Sequence, residues 1–130
     1  MSYRDKLTGL YNRAYFDEKL KELNNKEFFP LSFVMGDLNG LKVINDAIGH
    51  LEGDKILNQI SRVIKNSCRK DDLIFRWGGD EFCILLPKTT EEEAEAICNR
   101  IRKNCKLNHK TIIPLSIALE YLVKKNLKNQ

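Results

Sequence analysis

The residues best placed by type and spacing to do chemistry are Asp80 and Glu81, in Arg76-Trp77-Gly78-Gly79-Asp80-Glu81-Phe82. Apolar runs of strand length flank them, Leu73-Ile74-Phe75 before and Phe82-Cys83-Ile84-Leu85-Leu86 after, both rich in β-branched or aromatic residues. Two glycines between the runs permit the positive φ that a tight hairpin turn uses. The spacing predicts a hairpin over about 72–86 with both carboxylates at its tip, pointing to opposite faces. On spacing alone a solvated acidic turn is the plainer reading, because Gly-Gly-Asp is common turn chemistry.

A second acidic position changes that balance. Leu31 to Leu38 reads as a nearly continuous apolar strand with Asp37 near its end. A carboxylate there is costly unless it is hydrogen-bonded or holds a cation. If this strand neighbours the hairpin, Asp37 and Asp80 converge. Two bare carboxylates about 4 Å apart repel by about 4 kcal/mol at an effective dielectric of about 20. A hard divalent cation reverses the sign of that interaction, and oxygen ligands suit Mg²⁺.

Three segments together resemble the GGDEF family, the diguanylate cyclases. They are Asp5-Lys6-Leu7-Thr8-Gly9-Leu10-Tyr11-Asn12-Arg13; Asp37 to Asp46 followed by Gly49-His50 and Gly53-Asp54; and Gly78-Gly79-Asp80-Glu81-Phe82. The resemblance implies condensation of two GTP into cyclic di-GMP with release of pyrophosphate, in bacterial second-messenger signalling. It implies Mg²⁺ (or Mn²⁺) held by Asp37, Leu38 and Asp80, with Asp80 and Glu81 as catalytic residues. Asn45 and Asp54 match the guanine-binding positions, and Asn39, Gly40, Leu41 and Lys42 match the segment beside the phosphates. Arg69 and Asp72 match the R-x-x-D of the family's inhibitory product site. Asn39 stands where a second Asp is common, and Gly40 where an aromatic is frequent. A domain with motifs for one GTP implies a weak homodimer for catalysis, and the family implies an upstream sensory domain. The alternative is a catalytically impaired GGDEF module that binds GTP or cyclic di-GMP as a regulatory domain.

Each of these residues also has a plainer role. Asn45 suits the end of a short helix and Asp54 the first turn of the next. Arg69 suits a helix C-terminus, and a lone His such as His50 is more often structural than a ligand.

The elements that must position these groups follow from periodicity. Asn12 can cap a helix to about Asn24, with Phe16, Leu20 and Leu23 on one face. A short helix runs from Leu41 to about Ile48, and Gly49 breaks it. A longer helix runs from about Gly53 to Ser67, striped by Ile56, Leu57, Ile60, Val63 and Ile64. Thr89 or Thr90 opens the next helix, each with a Glu three residues on. Ile113, Leu115, Ile117, Leu119 and Tyr121 alternate in a final strand, with Pro114 placing it at an edge or its start at a bulge. The tail from Lys124 reads as polar and frayed. The resulting fold class is α+β: a ferredoxin-like, palm-like central antiparallel sheet, βαββαβ, with an extra N-terminal helix. Residues 1–130 are expected to form a single domain lacking the family's C-terminal helix.

Composition sets the outer limits. With 130 residues, 42% of them hydrophobic, the chain can bury one core. A net charge of +4 suits a polyphosphate ligand, and no basic stripe or aromatic RNP pattern points to nucleic acid. No apolar run reaches the ~20 residues of a membrane span, so a cytoplasmic location with no membrane span within this chain is expected. Cys68, Cys83, Cys98 and Cys105 lack C-x-x-C spacing and are expected to be reduced thiols.

Overall fold

The strand ending in Asp37-Leu38 lies at the centre of the sheet. In the computed structural model, which describes residues 2–126, strand β1 (Leu31–Leu38) lies between β3 (Glu81–Leu86) and β4 (Ile117–Lys124), and β2 (Leu73–Arg76) lies outside β3. All pairings are antiparallel. Helices α1 (Arg13–Leu23), α2 (Leu41–Ala47), α3 (His50–Ser67) and α4 (Glu91–Leu107) complete the order α, β, α, α, β, β, α, β. This is the split βαβ arrangement expected, with its additional N-terminal helix.

Alternation along the strands divides the core into two layers. Val34, Ile84, Leu86 and Ile117 face the apolar stripes of α3 (Ile56, Leu57, Ile60, Val63, Ile64) and α4 (Ala94, Ile97, Cys98, Ile101). Leu31, Phe75, Cys83 and Leu85 face Phe16 and Leu23 of α1. On that second face Ala118, Glu120 and Leu122 of β4 remain exposed.

The local signals act as their chemistry dictates. Asn12 Oδ1 accepts from Tyr15 N–H at 3.1 Å and opens α1. Thr90, not Thr89, caps α4: its hydroxyl accepts from Glu93 N–H and its own N–H donates to the Glu93 carboxylate. Thr90→Ala is therefore expected to cost about 1 kcal/mol and lower the melting temperature by a few degrees; an unchanged thermal unfolding curve would show that this cap contributes nothing. The four cysteines are free thiols. Burial pushes the thiol of Cys105 up to about 11, and burial followed by the Asp72 charge pushes that of Cys68 up to about 12.

Three boundaries differ from expectation. Helix α3 starts at His50, so Gly53 lies inside it rather than at its start. Strand β4 starts at Ile117 and runs to Lys124 because its ladder spans the whole of β1, from Leu38↔Ile117 to Leu31↔Lys124. Ile113 and Leu115 pack against the core from the irregular segment before it. The hairpin glycines do not take positive φ; Gly9, Gly40 and Gly49 do. Residues 77–80 form a wider bend, in which the N–H groups of Trp77 and Gly78 both donate to the Glu81 carbonyl. The expected polar tail falls partly in β4, and its residues 127–130 lie outside the described residues.

Candidate active site

The sheet brings the acidic positions together at one end. The β1–β3 register sets Asp37 directly across from Glu81, and directly opposed residues of an antiparallel pair share a face. Both line a shallow cleft of about 240 Å³ with Met35, Gly36, Ala118 and Glu120. Leu38 N–H donates to the Asp80 carbonyl at 2.8 Å. Asp80 thus sits opposite Leu38, and the carboxylate facing Asp37 across the ladder is that of Glu81. The register thus sets Glu81 opposite Asp37, with Asp80 the adjoining residue of the hairpin, a pairing that sequence spacing does not reveal.

Gly78 lies directly beneath the Glu81 carboxylate. A Cβ on it would lie 2.7 Å from Glu81 Oε1, closer than real contacts allow, so the Glu81 carboxylate folds back over the bend. No described residue gives an ion-pair or hydrogen-bond partner to the side chains of Asp37, Asp80 or Glu81.

Those unpartnered carboxylates fit a hard cation. Among the described residues no three His, Cys, Asp or Glu side chains converge into a closed metal cage. Mg²⁺ is usually held by one or two carboxylates plus substrate phosphates rather than by an all-protein cage.

A second cluster lies where α2 meets α3. Asn45 Oδ1 is buried and has no hydrogen-bond partner. It faces Gly53, where a Cβ would lie 1.9 Å away. Asp54 follows on the first turns of α3, half-buried and without an ion-pair partner among the described residues. Gly40 precedes α2 at φ 83°. Leu41 is a core side chain, so it offers only its backbone; Lys42 is exposed. The Asn39 side chain donates to Ser116 Oγ at 2.9 Å, and its N–H to the Ser116 carbonyl, which ties the end of β1 to the start of β4. His50 is exposed at the start of α3.

Arg69 and Asp72 lie elsewhere, beside a groove of about 620 Å³ that Lys19, Lys70 and Lys88 also line. They pair with each other. The Asp72 carboxylate accepts from Arg69 N–H at 2.7 Å and from Nε and Nη2 at 3.3 and 3.2 Å. Arg69 Nη2 also reaches Thr89 Oγ1. The side chain of Asp72 is 1% exposed, that of Arg69 40%. Hydrogen bonding to Asp72 raises the Arg69 pKa further above its ordinary value.

The family model described as "Diguanylate cyclase, GGDEF domain" matches residues 2–119.

The chain belongs to the GGDEF family.

Similar proteins include the "Probable diguanylate cyclase DgcJ" of Escherichia coli (strain K12), 40% identical over 102 residues, 76% of this chain and 21% of that one. The "Diguanylate cyclase DgcM" of the same organism is 36% identical over 105 residues, covering 78% of this chain and 25% of that protein. The chain therefore spans about a fifth to a quarter of the length of these curated relatives. Among solved structures, diguanylate cyclase SiaD of Pseudomonas aeruginosa superposes with a TM-score of 0.85 at 32% identity, covering 96% of this chain and 51% of SiaD. The FimX GGDEF domain from the same organism has a TM-score of 0.88 at 22% identity, over 100% of this chain and 84% of that one; at that identity the likeness shows the fold alone. Among the described residues no helix of this GGDEF domain is long and apolar enough to cross a membrane.

One residue of this GGDEF site escapes sequence reasoning. Arg76, at the end of β2, donates from Nη2 to the Gly79 carbonyl at 2.9 Å and from Nη1 to Asp5 at 3.2 Å. Its partner Asp5 lies 71 positions earlier, a separation at which spacing carries no signal.

Proposed function

We propose that this GGDEF domain is a diguanylate cyclase domain that condenses two GTP into cyclic di-GMP and two pyrophosphates. The observation supporting it most directly is the opposed pair Asp37 and Glu81, with Asp80 beside them and no cationic partner among the described residues. In each half-reaction a 3′-oxygen of one GTP forms a bond to the α-phosphorus of the other. The bond from that phosphorus to the pyrophosphate oxygen breaks, and the hydroxyl proton leaves to a base or to water. Asp37, Asp80 and the Leu38 carbonyl are the groups that would hold Mg²⁺ or Mn²⁺. A bound divalent cation supplies neutralisation of phosphate charge. Glu81 faces the same cleft and favours loss of the hydroxyl proton by its negative charge or by accepting it.

The base is read by Asn45 and Asp54. A carboxylate accepts from the guanine N–H edge, and a carboxamide both gives and takes. The orphaned Asn45 Oδ1 suits an N–H donor supplied by a ligand. Asn39, Gly40, Leu41 and Lys42 flank the phosphate end through backbone N–H groups and one exposed ammonium. Cyclic di-GMP binding at Arg69 and Asp72 would require Arg69 to exchange its present bonds to Asp72 and Thr89 for bonds to the ligand.

A second reading, a GGDEF module that binds GTP or cyclic di-GMP without turnover, is favoured by one observation: Asn39 is held by Ser116 and carries no charge for a second cation. Incubation of the protein with GTP and Mg²⁺, with products identified by mass, separates the two. Cyclic di-GMP and pyrophosphate are expected; saturable GTP binding without either product would establish the second reading.

Forming two equivalent linkages requires two facing half-sites, most simply a two-fold homodimer. The initial rate is expected to rise faster than linearly with protein concentration. Strict proportionality across the dilute range would rule out a weakly associating dimer as the active species.

A further inference from the structure

Resting on the cyclase reading above, we propose that Arg76 is a positioning residue that holds the acidic bend 77–81 in its working geometry by gripping the Gly78 and Gly79 carbonyls across its planar guanidinium, with Asp5 as a secondary support. The clamp uses the whole guanidinium. Nε donates to the Gly78 carbonyl at 3.3 Å and Nη2 to the Gly79 carbonyl at 2.9 Å, the two peptide groups immediately before Asp80. Nη1 donates to Asp5 Oδ1 and Oδ2 at 3.3 and 3.2 Å. Asp5 is itself fixed, accepting from Thr8 N–H at 2.9 Å and Thr8 Oγ1 at 2.7 Å. Burial alone would raise its pKa, but the Thr8 hydrogen bonds and Arg76 outweigh burial and lower it, so Asp5 remains a carboxylate at neutral pH.

Without this clamp the bend has little to hold it. It contains two adjacent glycines, which carry the greatest backbone freedom. Its other backbone restraints are the Trp77 and Gly78 N–H bonds to Glu81 and the Asp80 carbonyl bond from Leu38. The Trp77 ring is seated by Phe16, edge-on at 4.6 Å, and by the Arg13 guanidinium at 4.4 Å. The peptides between Trp77 and Asp80 are the ones Arg76 holds. Its side chain is 17% exposed and is spent on protein carbonyls and Asp5, so it acts through Asp80 and Glu81 rather than on substrate. The plainer alternative is an ion pair that fastens the opening segment to the sheet and does nothing for the bend.

Arg76→Lys separates the two. Lysine keeps the charge and can still meet Asp5, but one ammonium cannot span both carbonyls as the planar fork does. Amide hydrogen exchange at residues 78–81 is expected to quicken by about tenfold or more while that of Ile84 in β3 stays unchanged. In the same variant kcat is expected to fall roughly ten- to a hundredfold, with KM for GTP within about twofold of the native value. Asp5→Asn, which removes the ion pair but leaves the carbonyl fork, is expected to change both readouts by no more than about threefold. Native exchange in the bend of Arg76→Lys would overturn the proposal. So would a rate loss residing in KM, or an Asp5→Asn variant that reproduces the whole effect. Absence of turnover in the unmodified protein would instead defeat the cyclase reading, and bend exchange would still decide the role of Arg76.

Discussion

Replacing Asp80 with Asn is expected to reduce Mg²⁺-dependent GTP turnover by roughly a thousandfold while leaving the fold as stable as before. The rate term follows from the chemistry of the site. Charge stabilisation at a transferring phosphoryl group contributes several kcal/mol, and each ~1.4 kcal/mol is tenfold in rate. The stability term follows from what Asp80 does in the fold. Its structural contribution is its backbone carbonyl, which accepts from Leu38 N–H at 2.8 Å, and Asn keeps that bond. Its carboxylate has no partner among the described residues, so nothing is broken when the charge is removed. Loss of one negative charge beside Asp37 and Glu81 relieves repulsion in the metal-free protein. Turnover and metal-free melting temperature should therefore move independently. A variant that keeps its turnover, or one that melts far below the native protein without metal, would remove Asp80 from the catalytic role.

Much of this architecture is legible in the sequence because one face of each element is buried. The stripe Ile56, Leu57, Ile60, Val63 and Ile64 repeats at helical spacing, and every member is buried against the sheet. The limits are as instructive. Alternation at 113–121 is genuine, but a period of two does not state where pairing begins; the eight-residue ladder with β1 does, and moves the strand to 117–124. Asp37 and Glu81 oppose each other because of register, which depends on both strands at once. Arg76 looks like the solvated end of a short strand until Asp5 is brought to it. In each case the missing information is a contact between distant segments, which local pattern cannot encode.

Gly53 is the sharpest example, and it yields a testable result. The sequence pattern starts the longer helix at about Gly53, yet the structure starts α3 at His50 and runs it through this glycine. Its helical position would welcome alanine, which stabilises a helix interior by about 1 kcal/mol over glycine. What an added side chain meets is the Asn45 carboxamide: a Cβ at this position would lie 1.9 Å from Oδ1 and 3.0 Å from Cγ, with Leu41 Cδ1 at 3.3 Å. The obstructing atoms are the end of a flexible side chain, so Asn45 can swing away at small cost to the fold, and its buried, unpartnered oxygen is then free to reach water. Gly53→Ala is accordingly expected to fold with a melting temperature near or slightly above the native value. Asn45, however, would no longer stand where the base-recognition reading requires it. Polar groups built to meet a ligand reject one that leaves them unpaired by orders of magnitude, so displacing one of two such groups should lower the preference for GTP over ATP by about a hundredfold. Calorimetric titration of each nucleotide with Mg²⁺, set beside thermal unfolding of the same samples, measures both quantities. A stable Gly53→Ala protein with native discrimination would mean that Asn45 is a helix-end residue and that guanine is read elsewhere.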